Sequence, residues 1–162
     1  MKSKDQWIAD FHEWMPFADS LKSLDEQVWT APLGEGKWSI RDIVSHILRW
    51  DEYFLEEALL PIVRGTPLTL RHLDFDEFNK EAAEWGKRMG QQELLQASIQ
   101  ARSQVLQALQ RIPEEHYTRE YPAQDHIFVV QHYIEDFIWH DQHHMKQIRE
   151  FLDRYAGQQA NE

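Results

Sequence analysis

Apolar side chains recur at steps of three and four along most of the chain, the period of a helix with one buried face. Over residues 3–24 the row is Trp7, Ile8, Phe11, Trp14, Met15, Phe17, Ala18 and Leu21, which predicts a first amphipathic helix. Ser3 and Gln6 stand at capping-box spacing at its start. Pro16, which lacks a backbone donor, predicts a kink within it. Residues 31–37 read as a loop. Ser39, with Asp42 three positions on, is the expected N-cap of a second helix. Its apolar positions Ile40, Ile43, Val44, Ile47, Trp50, Phe54 and Ala58 carry it to Leu60 and Pro61. Turn signals follow at Gly65 and Pro67, then a short helix over 76–89. A third helix is predicted over 92–111, with Leu94, Leu95, Ile99, Val105, Leu106 and Leu109 apolar and Ile112-Pro113 closing it. A long fourth helix spans 127–155.

Four long helices with almost no strand pattern predict an all-α, four-helix bundle. The link of roughly 30 residues between the second and third helices is too long for a hairpin connection and predicts a crossover joining parallel neighbours. Residues 1–156 form the expected bundle and 157–162 a polar C-terminal tail. A length of 162 residues suits one domain, and seven Trp and eight Phe supply an ordered core. No run of about 18 apolar residues is present to span a bilayer. The N-terminal Met-Lys-Ser-Lys-Asp-Gln lacks the apolar stretch of a secretory signal, so the expected location is cytoplasmic.

Charge and cysteine content narrow the chemistry. With 17 basic and 28 acidic residues the formal net charge is −11, a poor start for neutralising phosphates, so no nucleic-acid partner is expected. The chain contains no cysteine, which excludes disulfides, thiolate ligands and a cysteine nucleophile. Any metal must be held by histidines and carboxylates.

The fourth helix carries the most informative row: Ile127, Val130, Ile134, Phe137, Asp141, His144, Ile148, Phe151 and Tyr155. Asp141 and His144 interrupt it where apolar residues belong. His140 lies four positions before His144, and two imidazoles at that spacing can bind one ion from adjacent turns. A third ligand should come from a facing helix, and His46 lies in the row Ile43, His46, Trp50, Tyr53 of the second. If the two helices run antiparallel, His46 sits ~10 Å from its helix start and the pair ~17–23 Å from Tyr155, which is compatible. His143 competes with His144 as a partner of His140, and reads as an edge residue. His12, His72, His116, His126 and His132 fall in surface contexts. Asp141 either accepts a hydrogen bond from a ligand imidazole or pairs with a base such as Arg49, and Asp51 and Glu52 face the same choice. Trp38 and Trp50 are candidate walls of the pocket.

Two segments resemble a known family. Residues 36–52, Gly-Lys-Trp-Ser-Ile-Arg-Asp-Ile-Val-Ser-His-Ile-Leu-Arg-Trp-Asp-Glu, are similar to the second-helix signature of the DinB-like superfamily, which includes the YfiT-type proteins. Residues 140–148, His-Asp-Gln-His-His-Met-Lys-Gln-Ile, resemble its last-helix motif of two histidines four apart. The resemblance implies an up-down-down-up bundle, often a homodimer, with a three-histidine site for a divalent metal, usually nickel or zinc. His46, His140 and His144 fall on those ligands. Met145-Lys146 replaces the family's frequent Arg-Gly, and Asp51 and Glu52 meet its acidic position.

Three histidine ligands leave coordination positions open, the usual arrangement of a catalytic metal. With no thiol in the chain, the nucleophile would be water or an external thiol activated by the ion. Some members of the superfamily are transferases or isomerases that use bacillithiol, mycothiol or glutathione. The resemblance therefore implies S-transfer from a low-molecular-weight thiol to an electrophilic small-molecule substrate. The alternatives are a non-catalytic metal-binding or stress-associated interaction protein, and a metal-dependent hydrolase. A basic group near the open position would mark a thiol pocket.

Overall fold

The computed structural model describes residues 2–160, with side chains through residue 158. Among the described residues the chain forms eight α-helices: α1 (Lys4–His12), α2 (Trp14–Ser20), α3 (Glu26–Thr30), α4 (Ile40–Phe54), α5 (Leu60–Arg64), α6 (Phe75–Gly86), α7 (Gln91–Arg111) and α8 (Val130–Ala160). The first predicted helix is α1 and α2, broken at Glu13. Pro16 cannot donate to the His12 carbonyl, so the helix restarts at Trp14 with proline in its first turn, where no donor is needed.

The second predicted helix continues past Pro61. A π-helical turn over Leu55–Leu59 joins α4 to α5. The Glu57 carbonyl that Pro61 cannot serve accepts the Thr69 N–H instead, at 3.0 Å. The chain then leaves through Gly65, whose φ of 71° is the left-handed cap that favours glycine. The long link is not structureless, since α6 lies within it and packs on α4.

One expectation fails at the start of the last helix. Ile127 was placed in the buried row, but Ile127–Phe128 pairs antiparallel with Tyr121–Pro122, and Ile127 is 59% exposed. Phe128 and Val130, two positions apart, are the buried pair there, and the change from strand to helix falls between them. At the other end α8 runs on to Ala160, through most of the predicted tail, while Asn161 and Glu162 lie outside the described residues. Among the described residues no helix is long and apolar enough to cross a membrane.

The core is two apolar clusters. One gathers Trp7 and Phe11 with Leu55, Leu59, Leu109 and Ile134. The other gathers Trp14 and Ala18 with Ile43, Ile47, Leu94 and Ile148. In sequence, Asp51 of α4, Arg102 of α7 and Asp141 of α8 separate the members of one cluster from the other, and all three are buried.

α6 approaches α4 tightly at Gly86. A Cβ there would lie 1.8 Å from the buried Ser45 Oγ. Gly86→Ala is expected to cost about 1–3 kcal/mol by overpacking. Gly157→Ala, in open space on α8, should be neutral or slightly stabilising. Thermal unfolding of the two variants checks this contact.

Candidate metal centre

The structure brings His46 of α4 together with His140 and His144 of α8. His46 Nε2 lies 2.9 Å from His140 Nε2, and His144 Nε2 lies 3.2 Å from the same atom. Among the described residues this is the one trio of potential ligands gathered so closely. His46 and His144 are buried and His140 is half-buried. The helix start that positions His46 is set locally: Ser39 Oγ accepts the Asp42 N–H, and Asp42 accepts the Ser39 N–H in return.

The hydrogen bonds behind the rings fix their tautomers. Asn79 Oδ1 accepts from Trp50 Nε1 and lies 2.8 Å from His46 Nδ1. An indole nitrogen only donates, so that atom is the amide oxygen, and His46 must carry its proton on Nδ1. Its Nε2 then presents a lone pair. His144 Nδ1 lies 2.9 Å from Gln147 Oε1, and with the amide oxygen facing the ring His144 carries its proton on Nδ1 and leaves Nε2 bare. Both lone pairs meet His140 Nε2. A proton on that atom satisfies the contact but strands His140 Nδ1, which is buried without a partner. A proton on Nδ1 instead leaves three lone pairs facing one another. A shared cation removes the second conflict by taking all three lone pairs, and the spacing suits nitrogens bonded to one ion at about 2.0–2.1 Å. The donor set fits a divalent metal.

Burial also prepares the ligands. It holds His46 down at about 4 and His140 at about 3, helped by the neighbouring imidazoles, and lowers His144 as well. All three are therefore neutral at pH 7, the form that binds metal.

The carboxylates are committed elsewhere. Asp141 and Asp51 both take the guanidinium of Arg102, at 2.7 and 3.0 Å, and neither serves a ligand imidazole. Arg49, the suggested partner of Asp141, lies 3.6 Å from Glu52 and over the Trp85 ring. Burial pushes the Asp51 carboxyl up to about 6 and raises Asp141, against the pull of Arg102. His143 is exposed and stacked on Trp139, and His132 is exposed. Trp38 covers the centre, its ring 5.0 Å from that of His46 and 6.4 Å from that of His144. Trp50 acts one step behind, through Asn79.

Sequence reasoning missed Asn79, Gln147 and Arg102. Asn79 left a signal, since Phe75, Asn79, Ala82 and Gly86 share one helical row and Asn79 is the polar interruption. Arg102 interrupts the core face of α7 in the same way. Gln147, one turn beyond His144, is the glutamine of the family's last-helix motif, but the motif attaches no role to it.

Asn79→Leu removes the acceptor that orients His46. It is expected to weaken zinc binding about 10–100-fold in competition with a chromophoric chelator; unchanged affinity would place Asn79 outside the centre. The metal-free protein should also lose stability in acid. The unfolded chain takes up protons as pH falls through about 6.5, but the folded imidazoles resist until about 4 for His46 and about 3 for His140. Their contribution is thus full above pH 6.5 and lost as pH falls toward 4. Asp51, raised to about 6, works the other way as pH falls, as do the raised carboxyls of Asp141 and Glu52, so they offset part of the loss. Urea midpoints at pH 7 and 4.5 should fall steeply in the wild type and less in His140→Gln.

Comparison with known proteins places this geometry in context. A search of the curated proteins found no significant match. Among solved structures the chain is similar to YfiT from Bacillus subtilis, described as a probable metal-dependent hydrolase with an unusual four-helix bundle topology. The TM-score is 0.76 at 18% identity, over 94% of this chain and 87% of that one. At that identity the likeness speaks for the fold. The model of the DinB superfamily matches residues 12–148, a span that includes all three histidines, the whole of α4 and the first part of α8. The chain belongs to the DinB superfamily.

Proposed function

We propose that the chain is a metal-dependent enzyme in which His46, His140 and His144 hold one divalent ion, nickel or zinc, and that it acts as a thiol S-transferase, joining an intact low-molecular-weight thiol through its sulfur to an electrophilic small molecule as the thiol proton is lost. The observation that carries the reading is the convergence of three imidazole Nε2 atoms, two of them bare by virtue of Asn79 and Gln147. A divalent ion bound there supplies a Lewis acid that deprotonates a thiol or water at neutral pH.

The protein's own residues do the rest. Asn79 and Gln147 hold the ligand rings in one tautomer, and Trp38 shields two of them from solvent. Asp51 and Asp141 are tied to Arg102, so neither is available as a general base. With no cysteine in the chain, the sulfur must come from outside. The likeness to YfiT favours a second reading, hydrolysis by water at the same centre. The up-down-down-up order, a homodimeric state and a cytoplasmic location belong to the same proposal. They rest on the family alone.

Elemental analysis of protein purified without an affinity tag tests the centre. Near one divalent ion per chain is expected, lost in His144→Ala. No uptake, even after incubation with zinc or nickel, would make the trio a core feature and end the enzyme reading. Metal-loaded protein that accelerates no thiol addition, but cleaves an ester or amide, would select hydrolysis.

A further inference from the structure

The centre opens through two unlike mouths. His144 lines a cleft of about 310 Å³ together with Leu33, Lys37, Trp38 and Gln147. His140 lines another of about 330 Å³ with Asp136, Phe137 and Trp139. Each lies at the small end of the size range of small-molecule sites. One mouth therefore carries a cation and the other an acid beside two aromatic rings.

Lys37 is placed there by a stiff loop. Pro32 bridges Ser39 in antiparallel fashion, and the Leu33 N–H donates to the Trp38 carbonyl at 2.9 Å. The turn closes with the Lys37 N–H on the Gly34 carbonyl at 3.1 Å. Gly36 holds a φ of 70° at its third position, where glycine is favoured. The Lys37 stem lies along Gly34, whose missing Cβ would stand 3.2 Å from Lys37 Cδ. The next residue, Trp38, rests on the His46 and His144 rings, so the loop is fastened to the ligands themselves. Lys37 makes no ion pair among the described residues, in a chain where acids outnumber bases 28 to 17.

We propose that the His144 mouth is a carboxylate subsite in which Lys37 binds the anionic end of a small-molecule ligand whose other end reaches the metal position. Asp136 repels an anion at the opposite mouth, so the ligand enters in one orientation, with any apolar portion against Phe137 and Trp139. A single ammonium suits a carboxylate as a point charge. This inference rests on the metal reading above.

The test uses cobalt-substituted full-length protein and two probes, 3-mercaptopropionate and its neutral amide 3-mercaptopropanamide. Both offer the same thiol to the ion, and the sulfur-to-cobalt charge-transfer band reports binding without any turnover. Wild-type protein should bind the carboxylate probe about tenfold more tightly than the amide. Lys37→Met should bring the two within twofold while leaving the amide affinity and the cobalt spectrum unchanged. Lys37→Arg should keep the preference. Lys146→Met, an exposed charge on α8 close to the ligands in sequence, controls for long-range attraction and should also keep it. A normal cobalt spectrum with no preference in the wild type, or a preference that survives Lys37→Met, overturns the carboxylate subsite alone. Cobalt that is not taken up, or is taken up equally by His144→Ala, overturns the metal reading and this inference with it.

Discussion

Everything near the centre is arranged around one buried arginine. Arg102 has no exposed surface, and removing a guanidinium from water is costly unless each donor finds a partner. Nε and Nη2 donate to Asp51, Nη1 and Nη2 to Asp141, and Nη1 also to the Phe11 carbonyl, while the ring of Phe11 lies 3.9 Å from the guanidinium carbon. These five bonds tie α7 to α4, α8 and α1 at one level. Deleting either carboxylate would strand buried charge, a loss of about 3–5 kcal/mol in comparable networks. The two anions outnumber the cation, so the cluster leaves one net negative charge inside the bundle when all three are ionised.

That network also sets the relative placement of the ligand helices. Asp141 is the neighbour of His140, and Asp51 lies five residues beyond His46. With both carboxylates fixed on one guanidinium, α4 and α8 cannot slide past each other without breaking charged hydrogen bonds. The His46 Nε2 to His140 Nε2 distance is therefore a consequence of core packing more than of the histidines themselves. Preorganisation of this kind is what a three-ligand site needs if it is to hold an ion firmly while keeping a position open.

The partners behind the imidazoles shape the chemistry as well. Many metal-bound histidines donate to carboxylates, which makes the ring a stronger electron donor. Here the acceptors are the neutral amides of Asn79 and Gln147, while Asp51 and Asp141 are held by Arg102 and reach no ligand imidazole. Neutral ligands backed by neutral acceptors leave an ion's charge less compensated, which favours it as a Lewis acid. The Trp38 loop completes the enclosure and leaves two openings of opposite character.

Periodicity and capping are local properties, and the sequence carried them openly. The helix starts at Ser3 and Ser39, the proline break in the first helix, and the polar interruptions at Asp141 and His144 could all be read from spacing. The row Ile43, His46, Trp50, Tyr53 offered His46 as the third ligand, and the family motifs matched it. The sequence could not say what Asp141 does, because its partner Arg102 lies 39 positions away and Arg49 looked as plausible a base. Asn79 is 33 positions from His46, in a link whose packing on α4 no local rule dictates. Even Ile127, in perfect register with the row, left the helix for a strand pair. Side-chain spacing determines which residues share a face. Which faces meet, and so which charges are paired and which lone pairs converge, is decided only when the whole core closes, because burial energy is summed over contacts remote in sequence.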